Sequence, residues 1–138
     1  MTTAELLAAF EACCLPKEAW THTAHVTAGA VYAWRHGRAA ALDKLRALIP
    51  AYNVSVGGEN TDTAGYHDTI TAYYAAAAAH AGHGAASEAE AVERVLASPH
   101  MTREAPLQYW SRALLFSAAA RRGFIAPDLA TPPFDLAG

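Results

Sequence analysis

The sequence predicts an all-α fold, a compact single-domain helical bundle of five or six helices followed by an irregular C-terminal tail. Three observations point there. Apolar residues recur at three- and four-residue steps nearly throughout, no stretch sustains the two-residue alternation of β-branched and aromatic residues that a half-buried strand needs, and helix starts and stops follow one another at short intervals. A chain of 138 residues buries roughly two-thirds of its unfolded surface in one core, so residues 1–138 read as one helical domain.

Thr2 and Glu5 have capping-box spacing and predict a first helix running to about Cys14, ahead of Pro16. A second helix starts near Thr21 and stops at Gly37, which tolerates the backbone that closes helices. Residues 38–55 carry Leu42, Leu45, Leu48 and Ile49 at helical intervals, while Pro50 removes a donor and predicts a kink or an early end. "VGGENTDTAG" reads as a loop, with Asp62 or Thr63 placed to cap a fourth helix over about residues 64–80, closed by Gly82 and Gly84. Ser87 and Glu90 form a second capping pair before a short fifth helix that ends ahead of Pro99. The remainder is helical in pieces, interrupted by Pro106. Short connections favour antiparallel neighbours, and the alanine-rich patches let helices approach closely.

Composition narrows the function classes. A formal charge of −3 with ten basic residues spread along the chain gives little attraction for phosphate backbones or anionic lipid, so neither nucleic acid nor membrane is expected as a partner. The alanine run at 75–79 is far shorter than the ~20 apolar residues of a bilayer span. The first twenty residues lack a basic leader and carry Glu5 and Glu11, unlike a signal peptide. Cys13 and Cys14 are adjacent, which suits neither an ordinary disulfide nor a spaced zinc-binding pair. A reducing, cytoplasmic setting is the simplest expectation.

Seven histidines are many for this length. On a helix over residues 22–36, His22, His25, Gly29, Tyr32 and His36 share one face, while Val26, Ala30, Ala33 and Trp34 offer apolar packing beside it. His22 and His25 in "WTHTAH" have the i, i+3 spacing that lets two imidazoles converge on one ion. The third ligand is expected in "NTDTAGYHDTIT", where His67 enters the fourth helix behind a glycine. Asp68, Asp62 and Glu59 are possible fourth groups, and a water-filled open position is equally compatible with catalysis. The expected centre is therefore mononuclear: His22, His25 and His67 around a divalent transition metal (Zn, Fe, Ni or Cu), with Asp68 and Tyr66 as catalytic groups. A paired-carboxylate di-iron site lacks its ExxH motifs. Trp20 and Arg112 are expected to contact substrate, since the Arg of "YWSR" follows two aromatics and suits a carboxylate or phosphate.

"WTHTAH", "YNVSVGGENTDTAGYHDTIT" and "YWSRALLFSAAARRGFIAPDLATP" together resemble an uncharacterised family of small bacterial helical proteins, over about Trp20 to Pro132. The resemblance implies a family identity and brings no activity, cofactor or substrate with it. Pro50, before "YN", departs from the family's pattern.

Plainer roles stand beside each of these. His67 suits a buried, hydrogen-bonded ring packed on Trp20, Asn60 and Thr61 suit loop organisation, and Arg112 suits a bundle ion pair. The leading expectation is a small cytoplasmic metal-dependent enzyme acting on a small molecule. The alternatives are a metal-free small-molecule-binding or acid/base module using His67 and Arg112, and a structural bundle whose polar stripe faces another chain.

Overall fold

The computed structural model describes residues 1–136. The fold class is as the spacing predicts: seven α-helices and three short 3₁₀ turns, with no strand among the described residues. The α-helices are α1 (Thr3–Glu11), α2 (His22–His36), α3 (Arg38–Ser55), α4 (Asp68–Gly82), α5 (Glu88–Ala97), α6 (Arg112–Leu115) and α7 (Ala118–Arg122). Among the described residues no helix is long and apolar enough to cross a membrane.

The centre of the bundle is the α2–α4 pair, flanked by α3 and α5. Its closeness follows from composition. Val26 and Ala28–Ala33 of α2 are buried, as are Ala72, Tyr73 and Ala75–Ala78 of α4. Gly29 sits where the two helices meet, and a Cβ there would lie 3.9 Å from that of Ala78. Small residues on both faces bring the backbones together, and larger rings close the ends. Trp110 and Tyr73 pack edge to face with centroids 5.8 Å apart, and Phe10, Trp20 and Tyr52 fill the opposite end.

The capping signals are realised where the sequence placed them for three helices. Thr2 and Glu5 form a reciprocal capping box, Thr21 accepts the Ala24 N–H, and Ser87 accepts the Glu90 N–H. Gly37, at φ +86°, ends α2. Three boundaries differ from expectation. α1 stops at Glu11 rather than Cys14, because Cys13 turns left-handed at φ +56° and the Cys14 and Leu15 N–H groups fold back to the Ala9 carbonyl. α3 runs through Pro50 to Ser55 without ending early. Ile49 and Tyr52, on either side of the proline, are buried, and the Tyr52 hydroxyl donates to the Leu15 carbonyl at 2.9 Å, so tertiary packing outweighs the missing donor. α4 begins at Asp68, four residues later than expected, with His67 rather than Asp62 or Thr63 as its cap.

That delay comes from the loop before α4. Gly65 adopts φ +82°, which a continuing right-handed helix forbids. The Asn60 carboxamide fills the inside of the turn: its Oδ1 accepts from the Tyr66 N–H and from Asn53 Nδ2, both at 3.0 Å, and its Nδ2 donates to the Pro50 carbonyl. A Cβ on Gly65 would fall 2.1 Å from the Glu59 carbonyl oxygen and 2.7 Å from Asn60 Oδ1. Gly65→Ala is therefore expected to lower stability by about 1–2 kcal/mol from backbone strain alone. Hydrogen exchange confined to residues 57–67 checks it, since the loop, not the bundle, should loosen.

Candidate functional site

Two clefts open between α2, α3 and α4 and meet along one line. The inner cleft, about 360 Å³, has apolar walls from Val26, Leu45, Ile49 and Ile70, with His22, His25, Tyr74 and Arg103 as its larger polar groups. The outer cleft, about 480 Å³, is bounded by Trp20, Tyr52 and Tyr66 and by the loop around Gly65, with Lys17 and Glu59 among its lining groups. His25, Ile49, Ile70 and Thr71 line both. The result is one bent groove with His25 at its elbow.

His25 is fixed from two sides. Its ring lies on the Trp20 indole with centroids 3.9 Å apart, and Phe10 covers the other face of that indole at 4.1 Å and 13°. Nδ1–H donates to the Thr21 carbonyl one turn earlier at 2.8 Å, which leaves Nε2 carrying the lone pair. Nε2 has no hydrogen-bond partner among the described residues. Burial pushes the His25 pKa below the usual imidazole range, with the bond to Thr21 opposing and nearby His22 and Arg103 adding to the depression. At neutral pH His25 is thus a neutral acceptor whose orientation and tautomer are set before any ligand arrives.

His22 donates from Nε2 to the Met101 carbonyl at 2.6 Å and meets the Tyr74 ring edge-on at 5.3 Å. This bond, 79 residues apart in the chain, lays the segment after α5 against the start of α2 and brings Arg103 to the inner cleft. Arg103 is exposed and has no ion-pair or hydrogen-bond partner among the described residues. Tyr74 already donates its hydroxyl to the Thr102 carbonyl at 2.6 Å, and Thr71 donates to the His67 carbonyl at 2.8 Å.

His67 is placed differently from its expected role as a metal ligand. It is 7% exposed, and both ring nitrogens are taken by main chain. Nδ1 accepts the Ile70 N–H at 3.1 Å as the cap of α4, and Nε2–H donates to the Leu115 carbonyl at 2.6 Å. A metal at either nitrogen would have to displace a cap bond or orphan a buried carbonyl. Burial lowers the His67 pKa, outweighing the Leu115 bond. Among the described residues no group of three or more His, Cys, Asp or Glu is arranged to hold a metal ion. The ring stacked on Trp20 is His25.

The other expected site residues divide in the same way. Asp68 is buried, and its carboxylate receives Arg46 Nε at 2.9 Å, Arg46 Nη2 at 3.0 Å and the Tyr66 hydroxyl at 2.6 Å. Burial alone would raise its pKa, but the Arg46 and Tyr66 bonds outweigh it and hold the carboxyl below its usual range. Tyr66 is raised well above the ordinary phenol range by burial and by that bond, so it stays a protonated donor. Asp68 and Tyr66, the pair expected to be catalytic, are thus bonded to each other and to Arg46, and Tyr66 also lines the outer cleft. Trp20 lines the outer cleft too, but Phe10 and His25 occupy its faces and its buried Nε1–H has no partner. Asp62 pairs with Arg122 at the surface, and Glu59 lies exposed at the outer cleft. Arg112 opens α6, exposed, and lines neither cleft.

Sequence reasoning missed Arg46 and Arg103. Arg46 sits 22 residues from Asp68 on a face that looks solvated, and Arg103 lies in an irregular segment between two prolines with no spacing signal. Both acquire their places only through tertiary contacts. No protein-family model, curated protein or solved structure matches the chain.

Proposed function

We propose that the groove is a metal-free small-molecule-binding site with acid/base capacity, in which His25 accepts a hydrogen bond or a proton from the ligand. The observation that carries this reading is His25 Nε2, an unpaired acceptor held at the junction of two clefts by Trp20 and Thr21. Volumes of this size and mainly apolar walls with a few convergent polar groups are what small-molecule sites have. A concave groove also fits a small ligand better than a flat face for another chain. Relative to the sequence expectation, His25 takes the proton-handling role assigned to His67, and Arg103 the anion-holding role assigned to Arg112. The cytoplasm remains the compartment we infer.

A fragment screen by thermal shift in the presence of a chelator tests the reading. Hits on the native protein are expected to lose most of their shift in His25→Gln, which keeps a polar side chain on the same helix. Shifts that require added metal, or that survive His25→Gln unchanged, would count against it.

A second reading rests on a separate observation. Both His22 and His25 keep one ring nitrogen without a protein partner, and both line the inner cleft. A divalent transition ion would take two ligands from them and the rest from water or substrate. Calorimetric titration with Zn²⁺ should then show a stoichiometric site that is lost in His22→Ala and in His25→Ala; a titration without a stoichiometric site, or one unchanged in either variant, would count against this reading.

A further inference from the structure

We propose, resting on the reading of the groove as a small-molecule site, that its ligand is a hydrophobic monocarboxylic acid. Its apolar body lies along the inner cleft and its carboxylate pairs with Arg103, clear of the unprotonated His25 Nε2. The walls select the body: Val26, Leu45, Ile49, Ile70 and Ala75 offer hydrocarbon, so burying a matching chain is favourable.

The polar groups select the head. The hydroxyl protons of Tyr74 and Thr71 and the Nε2 proton of His22 are already given to the carbonyls of Thr102, His67 and Met101. The donors left for a ligand are those of the Arg103 guanidinium, which has no partner among the described residues, and no carboxylate lines the inner cleft among them. A guanidinium presents a fork of N–H groups that matches a carboxylate's two oxygens. One fixed positive charge suits a monoanion, whereas a phosphate monoester carries nearly two negative charges at neutral pH and would want further cations. Among the described residues Arg103 is the one formally charged side chain lining the inner cleft, whereas Lys17 and Glu59 both line the outer one; Glu104, next to Arg103, acts on Tyr74 from outside that lining.

The test compares matched pairs by isothermal titration in chelator: hexanoate, octanoate and phenylacetate against hexan-1-ol, octan-1-ol and 2-phenylethanol, on the native chain and on Arg103→Gln. Arg103 is exposed and unpaired, so the variant should fold and melt as the native protein does; circular dichroism checks this. The expected result is that the acids bind at least tenfold more tightly than their alcohols. Arg103→Gln should remove that preference and leave alcohol affinity unchanged. Alcohols binding as tightly as acids, or acid affinity indifferent to Arg103→Gln, would overturn the acid assignment and leave the groove as a site for neutral ligands. Absence of binding by either set also overturns it, and the chelator-treated fragment screen with His25→Gln then decides separately whether the groove is a small-molecule site.

Discussion

His67→Ala is expected to lower the unfolding free energy by about 3 kcal/mol while sparing the His25 end of the groove. The substitution removes the cap of α4, which is typically worth about 1 kcal/mol. It also strands the Leu115 carbonyl beside a new void, adding about 1–3 kcal/mol. His67→Asn should recover part of the first contribution, because asparagine caps well, and none of the second. Urea midpoints of the two variants measure the split. A pH dependence accompanies it. His67 and His25 both have lowered pKa values in the folded protein, so the unfolded chain takes up protons first as pH falls below about 6.5. The stability contributed by keeping them neutral is complete above that pH and is lost as pH falls through the folded values. The slope in this window should shrink in His67→Ala. If that variant instead kept native stability and lost ligand or metal binding, His67 would be a functional ligand after all.

Asp68→Ala is expected to cost a similar amount, about 2–4 kcal/mol, through a different mechanism. Three charge-assisted or neutral hydrogen bonds end on this carboxylate, and its side chain is only 8% exposed. Arg46, at 40% exposed, can rehydrate when its partner is lost, which keeps the effect below that of a fully buried pair. Tyr66 is half-buried and loses its acceptor, so the outer-cleft wall should loosen as well. Asp68→Asn leaves an oxygen for Tyr66 and should fall between native and alanine. The titration lies in a different window from that of the histidines. Because the folded carboxyl has a lowered pKa, its contribution is present above about pH 4 and lost as pH falls through the folded value. Acid-unfolding curves should therefore differ between native and Asp68→Asn above that range and converge below it.

These two effects explain why the fold was legible in the sequence and the site only in part. Helix existence follows from spacing and caps: Thr2, Thr21, Ser87 and Gly37 act within a few residues of themselves, so local chemistry suffices to place them. Pro50 misled because burial of Tyr52 overrides a local rule. "GYHDTIT" draws the eye as a metal motif, yet its polar residues do long-range structural work. His67 holds Leu115, Asp68 holds Arg46, and Thr69 donates to the Ala120 carbonyl and accepts from the Ile125 N–H, docking the last helices on α4. The bonds of the two His67 nitrogens to the Leu115 carbonyl and the Ile70 N–H leave no mark in the sequence, because one of them spans 48 residues. "WTHTAH" combines local and long-range contacts. Trp20 wedges, Thr21 caps, His22 ties down Met101, and His25 retains an open nitrogen at the groove.

Long-range ¹H–¹⁵N correlation spectra of the imidazole side chains at pH 7.5, before and after adding Zn²⁺ and then octanoate in chelator, test the central assignment most directly. His25 should appear as the Nδ1–H tautomer with an unprotonated Nε2, and His67 as the Nε2–H tautomer, as their main-chain bonds require. Octanoate should move the His25 Nε2 resonance and leave both His67 nitrogens in place. A His67 nitrogen that shifts on Zn²⁺ addition, with His25 unmoved by any ligand, would contradict the assignment and return the site to the metal-binding triad.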